Sequence, residues 1–405
     1  MTGGALFTDP FAVGAVVTVL IALAFFLDRR FRAFSFFGTA IFVITGAALL
    51  VNFRVIPPSI PVGDQQTINP IYVFAGDYAV PLAIVLLLMT ADLRSLRRLG
   101  RPAITAFALG AVGTLIGAFV GGLLLAGAIG PESWKISGQF AGSYIGGGVN
   151  YAAVGEAVGT SDTLFATGAA ADTLMTNLWF VLTALIPVVL LRFYPSIYGG
   201  RTEGEDGAPG GGAAGGDGAA EGEYWEKREI SIYHIVYLLA ATFVIVAVST
   251  LVAAPVNGLL GFEIPVELWY TTLALLAALT PFNRLNGGEE IGNVLLHYFF
   301  AVLVAGAVLS TLVGKGPVIF LFLVVLVAIH GLVIFGAGRL LKIEIETLSV
   351  ASQACVGGPS TALALAISKQ WRALVTPAVL IGVLGYAIGN YAGVGMAFLL
   401  RAITG

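Results

Sequence analysis

Long, uninterrupted apolar runs limit what this 405-residue chain can fold into more than any other feature. Residues 11–27 carry no charge and residues 317–340 carry a single arginine near their end. Each run approaches the roughly 20 residues that cross a bilayer as a helix. Charged residues make up only 11% of the chain, against about 25% in soluble proteins. The runs do not alternate as the strands of a membrane barrel would. The sequence therefore predicts an all-α polytopic membrane protein.

The same composition narrows the classes of function. A single cysteine, Cys355, excludes an intramolecular disulfide and a cysteine-based metal centre. The net charge of −3 does not indicate a nucleic-acid partner. The absence of a phosphate-binding loop or nucleophile motif argues against an ATP-driven pump and an enzyme. We expect a protein of a prokaryotic cytoplasmic membrane, with no cofactor other than a coupling Na⁺. Its expected partners are the lipid bilayer, a small solute and a coupling cation, and a homodimer is left open.

Two halves of similar plan are separated by a linker. Residues 1–193 and 231–405 each predict about six helices, and residues 194–230 form a flexible acidic Gly/Ala linker. Each half contains one glycine-broken helix, at about 139–159 and 344–369. A slide of 210 residues superposes the two glycine pairs. We therefore predict two structural repeats whose breaks cross near the midplane, the pattern that marks a transporter's binding site.

The relative orientation of the repeats follows from the basic residues. Arg94 to Arg101 and Arg339 with Lys342 should both face the cytoplasm, which would make the repeats inverted. Seven predicted spans between Arg101 and Arg339 would instead place these clusters on opposite sides. We attribute the conflict to one miscounted span, near the linker or at residues 266–279. Inverted repeats are preferred, and parallel repeats stay open.

Acidic residues inside apolar segments predict coupling to a cation. Asp77 and Asp172 lie within predicted spans, and Glu156 follows the first break. No lysine or arginine falls in the central part of a span, so such an acid must be protonated, hydrated or bound to a cation. Asn177 and Asn390 occupy similar places in the last helix of each half and complete the ion-coupling set.

The two breaks supply the predicted substrate site. Gly146 to Gly148 and Gly357 to Pro359 favour non-helical backbone, and each break should start a half-helix whose free N–H groups attract an anion. Close packing of helices through small residues is the alternative role of these glycines. The predicted substrate-binding residues are Ser143, Gly147, Gly148, Asn150, Gln353, Gly357, Gly358, Ser360 and Thr361. Sodium ligands are predicted at Asn150, Asp172, Gln353 and Ser360.

Four stretches resemble the YjcL-like family of bacterial integral membrane proteins. They are residues 80–98, 144–159 (YIGGGVNYAAVGEAVG), 356–366 (VGGPSTALALA) and 379–393. That family is similar to the bile-acid, arsenite and riboflavin transporters, so the resemblance implies two inverted repeats with crossed broken helices. It matches Gly147, Gly148 and Asn150 to the first break and Gly357, Gly358 and Ser360 to the second. A bile-acid-type transporter often has Ser-Asn after its glycines, where this chain has Val149-Asn150.

Residues and resemblance together predict a sodium- or proton-coupled secondary transporter of a small organic anion. Alternating access would move a core domain around the crossed breaks. A passive channel is one alternative, although no ring of like charges indicates it. An intramembrane aspartyl enzyme is another, and it would require Asp77 and Asp172 to meet.

Overall fold

The computed structural model describes residues 5–31, 39–58, 69–198, 230–260, 264–305 and 309–404. Within these ranges every regular element is helical, which confirms the all-α prediction. Most of the linker lies outside the described residues. The principal helices are α1 Pro10–Arg30, α2 Thr39–Asn52, α3 Pro70–Met89, α4 Arg101–Ile129, α5 Ser133–Gly146, α6 Gly148–Ala157, α7 Asp162–Leu190, α8 Ile232–Leu260, α9 Val266–Ala278, α10 Gly288–Ala305, α11 Leu309–Leu340, α12 Ile345–Ser368 and α13 Val375–Thr404.

Local sequence explains where several helices begin. The side chains of Asp9 and Asn69 accept hydrogen bonds from the first turns of α1 and α3, and a proline follows each of them. This pairing of a side-chain cap with proline at the first helical position is favourable because it leaves fewer unsatisfied N–H groups. Eight helices of the described ranges are long and apolar enough to cross a membrane by length and composition.

The first glycine-broken segment is a helical hairpin. Gly147, with φ of 102°, separates α5 from α6. The two helices run back along each other, since Gln139 Nε2 donates to Tyr151 O at 3.3 Å and Lys135 Nζ donates to Gly159 O at 2.7 Å. The start of α5 and the end of α6 therefore lie at the same end of the helix bundle. We call α5 and α6 hairpin 1.

The second broken segment, α12, reverses in the same way at Gly358, where φ is 75°. Thr361 Oγ1 lies 3.5 Å from Gln353 O, whereas eight residues of straight helix would span about 12 Å. Tyr198 contacts both ends of the segment, through Glu346 at its start and Ala373 just after it. We call α12 hairpin 2, with residues 345–357 as its first arm and 359–368 as its second.

The hairpins explain the conflict over orientation. Lys315 Nζ at the start of α11 donates to Ile129 O at the end of α4, so these helices are antiparallel. Arg101 and Arg339 therefore lie at one end of the bundle, which we call the arginine-rich end. The count of seven spans between them was wrong because residues 139–159 return to the end at which they enter. The miscount was expected near the linker or at residues 266–279, but hairpin 1 accounts for it.

Glycines allow the central helices to approach closely. A methyl group added to Gly117 of α4 would lie 2.7 Å from Leu326 O of α11, and one on Gly138 of α5 would lie 2.8 Å from Gly393 O of α13. Side chains would hold these backbones apart. Small residues therefore define the positions of α11 and α13 against the rest of the core, as is common between helices in membranes.

Candidate functional site

The tips of the two hairpins touch in the interior of the bundle. A methyl group on Gly147 would lie 3.4 Å from Gly358 Cα, and one on Gly358 would lie 3.3 Å from Gly146 O. Both glycines have positive φ, a conformation that L side chains adopt only with strain. Gly148 is exposed, and a methyl group there would meet no atom within 4 Å. The two breaks therefore meet as predicted, beside an open space.

The structural match between the hairpins differs by one residue from the sequence match. The glycines with positive φ, Gly147 and Gly358, are the corresponding positions, so the offset is 211 and not 210. Asn150 then corresponds to Thr361. A methyl group on Gly146 would overlap Asn150 Oδ1, and one on Gly357 would overlap Thr361 Oγ1. The slide of 210 residues, which pairs Asn150 with Ser360, is therefore wrong by one residue, and Ser360 is exposed.

Asp172 of α7 lies beside hairpin 1 and is only 7% exposed. Its Oδ1 accepts a hydrogen bond from Ser143 Oγ at 3.0 Å. The buried hydroxyl of Tyr144 lies near Asp172 and Thr176, but it forms no hydrogen bond of normal geometry with the described residues. In the part of the chain that the structure describes, no lysine or arginine forms an ion pair with Asp172. A buried carboxylate without a basic partner is costly in its charged form, so this position suits a group that takes up a cation or a proton.

Asn150 connects hairpin 1 to the last helix of the second half. Its Nδ2 donates to Asn390 Oδ1 at 2.7 Å and to Tyr386 O at 3.1 Å, and Asn390 Nδ2 donates to Thr271 Oγ1 at 2.7 Å. Asn150 Oδ1 is fully buried and has no hydrogen-bond donor in the described structure. An unpartnered amide oxygen is a ligand of the kind that hard cations use. Asn390 therefore holds the Asn150 side chain in position. Asn177, the other asparagine of the predicted ion-coupling set, is half-buried on α7.

Gln353 differs from Asn150, because its unpartnered atom is the amide nitrogen and not the amide oxygen. Its Oε1 accepts a hydrogen bond from Thr183 Oγ1 at 3.0 Å, and its Nε2 is buried without a partner among the described residues. An amide nitrogen donates hydrogen bonds and does not coordinate sodium. Gln353 and the exposed Ser360 thus fit the predicted sodium set poorly, while Gln353 fits the predicted substrate set. Thr361 Oγ1 contacts Gly358 O at 3.3 Å, at the hairpin 2 tip.

A buried histidine that the sequence did not indicate as part of the site connects both hairpins. His330 of α11 contacts Ser352 Oγ of hairpin 2 at 2.9 Å and Thr114 Oγ1 at 3.0 Å, and Thr114 Oγ1 donates to Tyr144 O of hairpin 1. Trp179 Nε1 also donates to Ser352 Oγ. The one available indication was the spacing of Gly110, Gly113, Gly117 and Gly121, which is typical of a close helix contact.

The predicted ion-coupling acids separate into two groups. Asp77 is exposed, in a widened helical turn at Phe74–Ala79. The half-buried Glu156 lies within electrostatic range of Glu267, Asp162 and Asp77. Asp172 is not part of this outer group. No set of three or more His, Cys, Asp or Glu in the described ranges could hold a metal ion.

The base of hairpin 1 is held closed by Glu132, which lies in the turn between α4 and α5. Glu132 Oε1 accepts from Lys135 Nζ at 2.7 Å, and Oε2 accepts from Ser161 Oγ at 2.5 Å. Burial raises the pKa of Glu132, but the hydrogen bonds from Lys135 and Ser161 outweigh this effect and the net pKa is lowered. The carboxylate therefore stabilises the fold when it is ionised.

This contact predicts a pH-dependent stability. Because the pKa is lower in the folded state, the stabilisation is complete above the unfolded-state pKa of about 4.3 and is lost as the pH falls through the folded-state pKa. We expect Glu132→Gln to lower the melting temperature at pH 7, and the difference from the unmodified protein to disappear at low pH. Thermal unfolding from pH 3 to pH 7 measures this. A constant difference across that range would contradict it.

The fold and the site define a class, namely a polytopic helical membrane protein with two polar, glycine-tipped hairpins that meet in its core. The family model described as "Protein of unknown function (DUF819)" matches residues 15–403, and the chain belongs to this family. It is 33% identical over 396 residues to the uncharacterized membrane protein YjcL of Bacillus subtilis (strain 168), with 95% of each chain covered. The predicted family resemblance is confirmed.

Proposed function

We propose that this protein is a cation-coupled secondary transporter of a small organic anion. The observation that carries the proposal is the contact between the two hairpin tips, beside which buried polar atoms lack partners. These atoms are Asn150 Oδ1 on α6 and Gln353 Nε2 on α12. Asp172 on α7 accepts a hydrogen bond from Ser143 but has no basic partner in the described residues. Unpaired buried polar groups cost free energy unless a ligand satisfies them. Glycine-broken segments in corresponding places of two halves are also a feature of transporters.

The chemistry of these groups supports a division of roles. Asp172 and Asn150 Oδ1 are acceptors and suit the coupling cation, while Gln353 Nε2 and the N–H groups of Gly148 and Val149 at the start of α6 suit an anion. A cation and an anion bound close together neutralise each other in a medium of low dielectric. Each would then improve the binding of the other, and this mutual effect is what coupled transport requires.

We further propose that the two halves are inverted repeats with five crossings and one hairpin each. Support comes from the helix ends: hairpin 1 begins and ends opposite the arginine-rich end, and hairpin 2 begins and ends at it. An odd number of crossings in the first half inverts the second. The positive-inside rule then assigns the arginine-rich end to the cytoplasm.

Single cysteines in a Cys355→Ala background test this topology. Pro131→Cys and Ser161→Cys flank hairpin 1, and Leu341→Cys lies at the arginine-rich end. In right-side-out vesicles, we expect a membrane-impermeant maleimide to label positions 131 and 161 and to leave 341 unlabelled. If residues 139–159 crossed the membrane, positions 131 and 161 would label from opposite sides.

Two measurements test the proposed function. Thermal unfolding with a panel of mono-, di- and tricarboxylates, in sodium and then in potassium, identifies the anion by the stabilisation that binding produces. Uptake of that carboxylate into proteoliposomes, with and without an imposed sodium or proton gradient, then measures coupling. We expect accumulation driven by one of the two gradients. Stabilisation by none of the carboxylates, or uptake that responds to neither gradient, would refute the proposal.

The two alternatives receive less support. An aspartyl enzyme needs Asp77 and Asp172 within hydrogen-bond reach of each other, but Asp172 bonds to Ser143 and Asp77 belongs to the outer group of acids. A channel needs an open path, whereas the two hairpin tips lie in contact with each other in the interior of the bundle. Saturable, gradient-driven uptake in the same proteoliposomes would separate a transporter from both.

A further inference from the structure

The two arms of hairpin 2 are held very differently. Residues 345–356 of the first arm are all buried, and Ser352 and Gln353 bond to His330 and Thr183 of the surrounding helices. The second arm, 359–368, exposes Ser360, Ala364 and Ser368. Within the described ranges, the hydroxyl groups of this arm bond only to hairpin 2 itself. Hairpin 1 differs, because its second arm is buried from Val149 to Gly155 and is bonded to α13 through Asn150.

Residues 195–198, which follow α7 after a short turn of helix at Leu191–Phe193, tie the base of hairpin 2 together. We call them the strap. Ile345 N donates to Pro195 O, and the buried carboxylate of Glu346 accepts from Ser196 Oγ, Ile197 N and Tyr198 N. Tyr198 then reaches across the hairpin, where its hydroxyl accepts a hydrogen bond from Ala373 N at 3.0 Å. The strap therefore joins the start of the first arm to Ala373, five residues beyond the end of the second arm.

We propose that the second arm of hairpin 2 is a gate at the arginine-rich end, and that Tyr198 and Glu346 form the latch that keeps it closed. Gly358 and Thr361, at the tip of hairpin 2, lie at the start of this gate. Hairpin 1 is closed by contacts within its own base, through Glu132, Lys135 and Ser161, and so serves as the fixed counterpart. The part that this gate would play in transport rests on the proposed function, but its opening can be measured without any solute.

The contacts of the strap make its release the least costly way to expose the tip. Opening the second arm together with residues 369–373 breaks the bond between Tyr198 and Ala373, while the first arm keeps its bonds to His330 and Thr183. Opening the first arm would separate Cys355 from α4, where a methyl group on Gly110 would lie 2.9 Å from Cys355 Sγ. A methyl group on Gly382 of α13 would overlap Pro359 at the start of the second arm, so this contact must also break when the second arm opens. Local opening favours the more exposed segment, and Ser360, Ala364 and Ser368 make the second arm more exposed than the first.

The experiment measures thiol labelling in the full chain. Ala362→Cys in a Cys355→Ala background places a fully buried thiol on the second arm, and N-ethylmaleimide reacts with it only when the arm opens. Adding Tyr198→Phe removes the acceptor of the hydrogen bond from Ala373 N and is expected to raise the labelling rate about fivefold. Adding Glu346→Gln replaces an acceptor of two backbone N–H groups and one hydroxyl, and a larger increase is expected.

Matched controls identify the source of any change. Ala152→Cys is equally buried on the second arm of hairpin 1, and its labelling is expected to be unaffected by the strap variants. Glu344→Gln makes the same charge change two residues from Glu346, where no side-chain cap bond exists, and should have no effect.

Unchanged labelling at position 362 in both strap variants would overturn the proposal. Equal acceleration at 152 and 362 would also overturn it, because that would show general loosening. Melting temperatures confirm that each variant is folded.

Discussion

Replacing Asp172 by asparagine is expected to abolish the stimulation of uptake by an imposed cation gradient. Asparagine has nearly the same shape and can still accept the hydrogen bond from Ser143, but it cannot become negatively charged. Coupling free energies between two ligands correspond to about 5–150-fold changes in affinity, and we expect Asp172→Asn to lose this entire factor. The measurement is the ratio of carboxylate uptake into proteoliposomes with and without the gradient.

Asp9→Asn is the matched control for this substitution. Asp9 caps α1 by accepting a hydrogen bond from Ala12 N, and asparagine caps a helix equally well, so gradient stimulation should be unchanged. The melting temperature of Asp172→Asn should not fall, because the change removes a buried charge that has no basic partner. If Asp172→Asn still responds to the gradient as the unmodified protein does, Asp172 does not couple the cation.

A methyl group at Gly385 is expected to destabilise the protein strongly. The added Cβ would overlap Ile145 O and would lie 3.0 Å from Gly146 Cα. Both are backbone atoms next to the hairpin 1 tip, so no side chain can rotate away. Overpacking of this kind costs about 1–3 kcal/mol, and Gly385→Ala should lower the melting temperature by several degrees.

The control lies on the same helix. A methyl group on Gly395 would meet no atom within 4 Å, and alanine is favoured over glycine by about 1 kcal/mol inside a helix. Gly395→Ala should therefore match or exceed the stability of the unmodified protein, in the same detergent. Equal melting temperatures for Gly385→Ala and Gly395→Ala would contradict the close approach of α13 to hairpin 1.

Much of the helical architecture could be predicted because apolar length alone selects membrane helices. The positions of both breaks also followed from their glycines. The hairpins could not be predicted, because a hairpin of two short helical arms and a single straight helix have the same composition. The choice between them depends on whether a glycine adopts positive φ, and neighbouring helices decide this. The one-residue error in matching Asn150 with Ser360 has the same origin, since adjacent glycines in each tip are equivalent in sequence.

The candidate site shows the same limit. Asp77 and Asp172 both lie in apolar sequence, and only the packing reveals that Asp77 is exposed while Asp172 is buried beside Ser143. Glu132, Glu346 and Tyr198 resemble ordinary residues at the ends of helices. Their importance depends on partners as many as 175 residues away, and no local pattern reports such distances.

The glycine contacts of α13 limit how the molecule can change shape. Gly385 and Gly393 place the main chain of α13 against the main chain of hairpin 1, with the Val154 side chain also close to Gly393. Two rods in such contact cannot slide past each other without separating, so they must travel together as one rigid body. In a cycle that opens the site first to one side of the membrane and then to the other, the relative movement must therefore occur between other helices.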